Sequence, residues 1–309
     1  MAGQDACDVG CDIFEIEFVY MEEIKCKKLH MCICRNIEAS NRVHSQAFAK
    51  PPMIMDTANT VYVVTGANRG LGLGLTRRLL ERPATTIVAS VRNQNAALSL
   101  MSEVESVVVG KNSVLHVIEL DFSTAISPEE ITQAFTAAVS TVTHIDVLIC
   151  NAGFATPMTP ALVTSAEDLR KSFEVNTIAP LLVFQAFWPL MQRSASAPKL
   201  AVISSSVGSI ADQEPVPGGA YGPSKAASNW LTKALHVENE ADGLIAFALH
   251  PGWVQTRAGD FAAKEWGYPG RPPVTVEDSV KGMLGVIDTA TRENVSGKFI
   301  SQTGDILSW

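Results

Sequence analysis

The sequence predicts an α/β fold with a doubly wound, mainly parallel sheet, in a single domain that follows an N-terminal extension. From residue 60 onward, short β-rich apolar runs alternate with helical stretches, an order that places helical crossovers on both faces of a parallel sheet. A glycine-rich loop joins the first run to the first helix. The chain has 309 residues, 47% hydrophobic and 18% charged, which suits a globular protein with a sizeable core and excludes a disordered or coiled-coil chain.

Six strands and two helices follow from local patterns. Apolar runs with β-favouring residues predict strands at residues 60–65, 85–90, 114–120, 146–150, 199–204 and 244–249. A helical stretch over residues 71–80 comes directly after the glycines. A second helix is predicted over residues 128–139, because Ser127 can cap its first turn and Glu129 and Glu130 favour a helix N-terminus.

The first part of the chain is predicted to be a poorly ordered N-terminal extension over residues 1–55, followed by the domain at residues 56–309. The extension alternates apolar and acidic residues and leads into a Pro-Pro pair. We hypothesise that translation starts at Met53 and that residues 1–52 are an appendage. The cysteines of this part lack the spacing of a zinc site, so free thiols and no bound metal are expected. They are Cys7, Cys11, Cys26, Cys32 and Cys34.

Charge and hydropathy argue against nucleic acid and membrane partners. The formal net charge is −8, which disfavours binding to a polyanion. The best apolar run, residues 178–191, is too short to span a membrane and contains Pro180 and Pro189. The acidic N-terminus fits neither a secretion signal nor a mitochondrial presequence. A cytoplasmic protein is therefore expected.

The loop at residues 65–72 reads TGANRGLG. Gly66, Gly70 and Gly72 allow a tight turn and a close approach of the backbone to a pyrophosphate, whose charge the following helix N-terminus would stabilise. The spacing is G-x3-G-x-G rather than G-x-G-x2-G, and a plain glycine-rich turn is the alternative. The position of the loop, between a strand and a helix, favours dinucleotide binding.

Further motifs follow in a fixed order along the chain. They are Asn151-Ala152-Gly153, Asn176 in a V-N-T-x-A-P context, Ser204-Ser205-Ser206, Tyr221-x3-Lys225 and Pro251-Gly252-x3-Thr256. With the glycine loop, they resemble the short-chain dehydrogenase/reductase family over residues 60–309. The resemblance implies an NADP-binding Rossmann domain, an oxidoreductase that interconverts C=O and CH–OH, and a homodimer or homotetramer.

The end of the second strand bears on the choice of nicotinamide cofactor. An acidic residue there would bind the ribose 2′-hydroxyl of NAD, whereas arginine accommodates the 2′-phosphate of NADP. Arg92 follows this strand and Arg69 lies in the glycine loop, so NADPH is predicted; two surface arginines are the alternative. With the resemblance, the predicted cofactor-binding residues are Gly66, Asn68, Arg69, Gly70, Leu71, Gly72, Arg92, Asp121, Asn151, Ala152, Gly153, Tyr221, Lys225, Pro251, Gly252, Val254 and Thr256.

Tyr221 and Lys225 are four residues apart, so they would share one face of a helix. The ordinary phenol pKa of about 10 is too high for acid–base work at neutral pH, and a neighbouring ammonium is expected to lower it. The phenol would protonate a carbonyl oxygen as hydride arrives at carbon. The resemblance adds Ser205, which orients the substrate, and Asn176, which supports a water relay to Lys225. Ser206 is the competitor of Ser205.

Residues 254–275 are predicted to form a substrate lid, because this long, irregular stretch mixes aromatic residues with glycine and proline. An ordinary loop that its aromatic residues anchor is the alternative. The candidate pocket aromatics are Phe154, Trp188, Phe261, Trp266 and Tyr268.

Within the family, the chain resembles fungal ketoreductases of anthraquinone biosynthesis more closely. This resemblance implies NADPH-dependent reduction of a ketone of an aromatic polyketide to an alcohol, in secondary metabolism such as mycotoxin biosynthesis. Two alternatives stay open: a general NADPH carbonyl reductase for small ketones or aldehydes, and a non-catalytic NADP-binding regulator. The tail from Gly304 to Trp309 would lie at a subunit contact or cover the pocket.

Overall fold

The computed structural model of the chain describes residues 59–309, whose strands form one eight-stranded sheet in the order β3-β2-β1-β4-β5-β6-β7-β8. Neighbouring strands are parallel from β3 through β7, and β8 is antiparallel to β7. The strands are β1 (Thr60–Thr65), β2 (Thr85–Val91), β3 (Val114–Glu119), β4 (Val147–Cys150), β5 (Lys199–Ile203), β6 (Ile245–His250), β7 (Phe299–Ser301) and β8 (Ile306–Leu307).

Helices cover both faces of this sheet, and each face has its own hydrophobic core. The helices are α1 (Gly70–Leu80), α2 (Gln94–Val104), α3 (Pro128–Ala138), α4 (Ala166–Phe173), α5 (Ala179–Met191), α6 (Tyr221–Glu238), α7 (Arg257–Glu265) and α8 (Val276–Thr289). One core packs α1, α2 and α8 against the sheet, and the other packs α3, α5 and α6. The predicted α/β fold with a doubly wound, mainly parallel sheet is confirmed.

Local patterns located the main elements well. The six predicted strands are β1 to β6, with ends that differ by one residue, and the predicted helices are α1 and α3. Ser127 caps α3 as predicted: its hydroxyl accepts from the Glu130 amide at 3.2 Å, and the Glu130 carboxylate accepts from the Ser127 amide at 2.7 Å. Strands β7 and β8 were not predicted, because runs of three and two residues carry too little pattern.

The prediction of an irregular stretch after residue 256 is wrong for its first half, which forms α7. The Thr256 hydroxyl caps this helix by accepting from the Gly259 amide at 3.1 Å. The two ends of the stretch are also paired, since the Gln255 amide donates to Val274 O at 2.9 Å and the Val274 amide to Trp253 O at 3.1 Å. Gly259 of this stretch therefore lies inside a short helix.

Several predictions concern residues 1–58, which lie outside the described residues. These are the N-terminal extension, the start at Met53 and the cluster of cysteines. Among residues 59–309, no helix has both the length and the apolar character needed to cross a membrane. The apolar run at residues 178–191 falls almost wholly in α5, which carries Pro189 inside it.

Candidate active site

The carboxyl ends of the parallel strands open into one cavity of about 1600 Å³. It lies where β1 and β4 are neighbours and their connections run to opposite sides, the usual ligand position in a doubly wound sheet. The structure places every predicted cofactor-binding residue on its wall, together with Ser205 and Ser206. Asn176 alone among the predicted site residues does not line it.

The glycine loop packs tightly against the end of β4. Gly66 has φ +67°, and a Cβ atom there would lie 2.9 Å from Ala152 Cα. The Asn151 side chain donates to Thr65 O at 2.8 Å and to Gly66 O at 3.2 Å. Asn151 therefore holds the loop in place through its amide, and only a residue without a side chain fits at Gly66.

Arginines gather on the side of the cavity next to the glycine loop. Burial lowers the pKa of Arg69, and the charges of Arg257 and Arg92 lower it further. Hydrogen bonds from Ser123 hold the pKa of Asp121 below its ordinary value, with a smaller effect from Arg92. Arg257 was not singled out from the sequence, although it directly follows Thr256 in a motif that was.

Tyr221 begins α6, and its ring centroid lies 5.7 Å from Lys225 Nζ. The lysine is buried and donates to Ile203 O at 2.7 Å. Desolvation lowers the pKa of Lys225 to about 8 and raises that of Tyr221 to about 12, although a hydrogen bond with Ser205 opposes the latter shift. The predicted lowering of the phenol pKa is therefore wrong for this structure, because burial outweighs the favourable neighbours.

The three consecutive serines point to different partners. Ser204 is buried and donates its hydroxyl to Asn229 at 2.5 Å. The Ser206 amide donates to His250 Nδ1 at 3.2 Å. The Ser205 hydroxyl accepts from the Val207 amide at 3.3 Å, and of the three serines only Ser205 lowers the pKa of Tyr221. This effect on the pKa of the phenol favours Ser205 over Ser206 as the partner of the tyrosine.

Asn176 lies in a five-residue π-helical turn between α4 and α5, Glu174–Ile178, and is fully buried. Its side-chain oxygen accepts from the Phe154 amide at 2.8 Å, and its nitrogen donates to Phe154 O at 2.8 Å and to Ser224 Oγ at 2.9 Å. The amide therefore fixes the loop after β4 to α6. These contacts are those of an anchor, and the water relay stays a prediction.

Aromatic side chains form another part of the cavity wall, the aromatic wall. The Trp253 ring centroid lies 4.6 Å from that of Tyr268 and 5.5 Å from that of Trp266. Trp266 donates through Nε1 to Pro217 O at 2.8 Å, which ties the end of α7 to the loop before α6. Phe154 and Phe261 line the cavity as well. Trp188 does not, a correction to the prediction, because it stacks on Phe184 within α5 at 5.1 Å.

Two further groups near the serines were not singled out from the sequence. His250 ends β6 and lines the cavity, and burial lowers its pKa to about 4, so the ring is neutral at pH 7. Trp309 O accepts from the amides of Ile210 and Ala211 at 3.0 and 2.9 Å. The tail therefore holds the loop after β5. Neither His250 nor Ile210 has a sequence pattern that would predict these contacts.

Comparison with known proteins places this site in a family. A family model described as short chain dehydrogenase matches residues 60–265. The short-chain dehydrogenase RED3 of Pyricularia oryzae is 38% identical over 258 residues, which cover 81% of this chain and 99% of that protein. Norsolorinic acid ketoreductase of Aspergillus parasiticus is 38% identical over 254 residues, covering 81% of this chain and 91% of that protein.

A solved structure of an oxidoreductase has a similar fold. The NADPH-bound carbonyl reductase from chicken fatty liver superposes with a TM-score of 0.69 at 30% identity, covering 82% of this chain and 100% of that one. The matched residues 60–265 include the glycine loop, Ser205, Tyr221 and Lys225, all of which line the cavity. The chain belongs to the short-chain dehydrogenase family of oxidoreductases.

Proposed function

We propose that this protein is an NADPH-dependent ketoreductase that reduces a ketone of an aromatic polyketide, an anthraquinone of the norsolorinic acid type, to the alcohol. Its pathway would be the fungal biosynthesis of a secondary metabolite such as a mycotoxin. The observation that carries the proposal is one cavity that joins three features. Arginines line one part of it, Tyr221 lies beside Ser205 and Lys225, and aromatic rings form a third part, the aromatic wall.

The donors around the glycine loop fit NADPH. Arg92 directly follows β2, where an acidic residue would favour NAD, and Arg69 lies in the neighbouring loop. Guanidinium groups bind phosphate through several charge-assisted hydrogen bonds. The N-terminus of α1 adds backbone donors for a pyrophosphate. The chicken carbonyl reductase with its bound NADPH supports the same choice of cofactor.

Three side chains of this protein would act on the ketone. Bound NADPH supplies the hydride that adds to the carbonyl carbon. Tyr221, whose pKa is about 12, holds its proton at neutral pH and gives it to the carbonyl oxygen. Ser205 donates a hydrogen bond to the same oxygen as negative charge develops. Lys225, whose pKa is about 8, is mostly protonated at pH 7 and stabilises the phenolate that remains.

The proposed substrate class follows from the aromatic wall of the cavity and from the names of the similar proteins. Trp253, Trp266 and Tyr268 offer ring faces and edges on which a flat polycyclic molecule can stack. One relative carries the name of an anthraquinone ketoreductase, whereas the equally similar RED3 carries no substrate in its name. A general carbonyl reductase is the second candidate, favoured by the likeness to the chicken enzyme.

The test measures NADPH oxidation by the full chain with norsolorinic acid, beside small ketones and aldehydes, and identifies the alcohol product by mass spectrometry. We expect turnover of the anthraquinone at a kcat/KM well above that of the small substrates. Equal kcat/KM values would support the general carbonyl reductase. NADPH binding without turnover of any substrate would support the non-catalytic regulator. The homodimer or homotetramer and the cytoplasmic location stay predictions, to be checked by light scattering and cell fractionation.

Arg92→Ala is expected to weaken NADPH binding about 10- to 100-fold and to leave NADH binding nearly unchanged, since charge-assisted hydrogen bonds of this kind contribute about 1.5–3 kcal/mol. NADH lacks the 2′-phosphate that Arg92 would contact. Fluorescence titration of each cofactor measures the two Kd values. Arg193→Ala, an exposed arginine outside the cavity, is the matched control. Equal losses for both cofactors would contradict the phosphate assignment.

A further inference from the structure

Two helix N-termini meet at the arginine-lined part of the cavity. Arg69 is the N-cap residue of α1, and Arg257 is the first residue of α7. The two helix starts lie against each other, because a Cβ atom on Gly70 would lie 3.4 Å from the Thr256 methyl group. Both arginine side chains line the same cavity. Two arginines and two helix N-termini therefore adjoin one cavity.

The carboxylate nearest along the chain is that of Asp260 in the first turn of α7, and within the described residues it forms no ion pair with either arginine. Within residues 59–309, neither Arg69 nor Arg257 forms an ion pair, whereas Arg77, which also lines the cavity, lies 3.9 Å from Glu103. The first turn of α1 holds no acidic residue. A cation at a helix N-terminus is repelled by the helix dipole. This arrangement is unfavourable by itself and becomes favourable when an anion binds.

The repulsion by the neighbouring arginines lowers the pKa of Arg69. After burial, the charge of Arg257 is the largest cause that lowers the pKa of Arg69, ahead of that of Arg92. The charge of Arg257 therefore acts more strongly on Arg69 of the glycine loop than the charge of Arg92 at the end of β2 does. Arg92 interacts with a carboxylate, because its charge lowers the pKa of Asp121.

We propose that Arg257 binds the pyrophosphate of the dinucleotide, as a cofactor-binding residue that reaches the glycine loop from α7. This inference rests on the proposed function and adds a ligand to it. The assignment to the pyrophosphate follows from position: Arg257 adjoins Thr256, which packs on Gly70 of the glycine loop, while Arg92 follows β2, where the 2′-phosphate of the adenosine ribose would bind. The pyrophosphate is common to NADPH and NADH, so Arg257 serves both cofactors alike.

The test is a fluorescence titration of the full chain with NADPH and with NADH. Arg257→Ala is expected to raise both Kd values by the same factor, about tenfold, as for the loss of a charge-assisted hydrogen bond. Arg257→Lys keeps the charge and should recover part of both affinities. Arg271→Ala is the matched control, because this exposed arginine lies beyond α7 but outside the cavity, and it should change neither Kd.

The outcomes separate this inference from the proposed function. Unchanged Kd values for both cofactors in Arg257→Ala, with wild-type binding intact, would overturn the inference and leave the proposed function standing. A loss confined to NADPH would also overturn it, because Arg257 would then contact the 2′-phosphate. Wild-type protein that binds neither cofactor would overturn the proposed function and the inference together. Thermal unfolding without cofactor checks that the exposed Arg257 is not needed for folding.

Discussion

Tyr221→Phe is expected to lower kcat for ketone reduction by about 10³-fold, while the Kd for NADPH stays near its wild-type value. The substitution removes only the hydroxyl group, so the ring keeps its packing at the start of α6. The phenol is the proton donor in the proposed reaction, and its raised pKa keeps it protonated across the neutral range. Steady-state NADPH oxidation and a cofactor titration measure the two effects separately.

The neighbouring serines give this prediction a matched pair of controls. Ser205→Ala should lower kcat by about 10²-fold, the usual effect of removing one donor to a developing oxyanion. Ser206→Ala should retain near wild-type activity, because the contact of Ser206 with His250 is made by its backbone amide. Turnover by Tyr221→Phe within tenfold of wild type would reject the role of the tyrosine, as would a larger loss in Ser206→Ala than in Ser205→Ala.

Gly72→Ala is expected to abolish measurable cofactor binding and to lower the free energy of unfolding by about 1–3 kcal/mol, the usual cost of overpacking. The new methyl group would overlap the Gly66 carbonyl oxygen and would lie 2.6 Å from Asn151 Nδ2. Asn151 holds the glycine loop through bonds to Thr65 and Gly66, so the loop must shift as a unit. Urea denaturation and an NADPH titration measure the two losses.

Gly285→Ala in α8 is the control for Gly72→Ala. A Cβ atom there would meet no heavy atom within 4 Å. Alanine is favoured over glycine inside a helix by about 0.5–1 kcal/mol, so this variant should be slightly more stable than wild type and bind NADPH normally. A Gly72→Ala protein with wild-type stability and affinity would show that the loop tolerates a side chain, contrary to the packing described.

The sequence by itself determined the elements whose causes are local. The six strands β1 to β6 follow from apolar runs, and α3 begins at Ser127 because capping depends on residues three apart. The glycine loop was located by its position between a strand and a helix, and Tyr221 and Lys225 were identified through the resemblance to the short-chain dehydrogenase/reductase family. These features depend on short-range geometry, which the order of residues specifies.

Only the tertiary structure decided the features that depend on residues far apart in the chain. The direction of the Tyr221 pKa shift depends on how much protein surrounds the phenol, and burial reversed the predicted direction. Arg257 meets the glycine loop because α7 starts against α1, from a segment predicted to be irregular. Trp188 packs against the core that α5 shares with α3 and α6, not on the cavity wall, because the packing of α5 on the sheet decides which of its side chains reach the cavity. Desolvation and long-range Coulomb interactions depend on the packed three-dimensional arrangement, which no local pattern encodes.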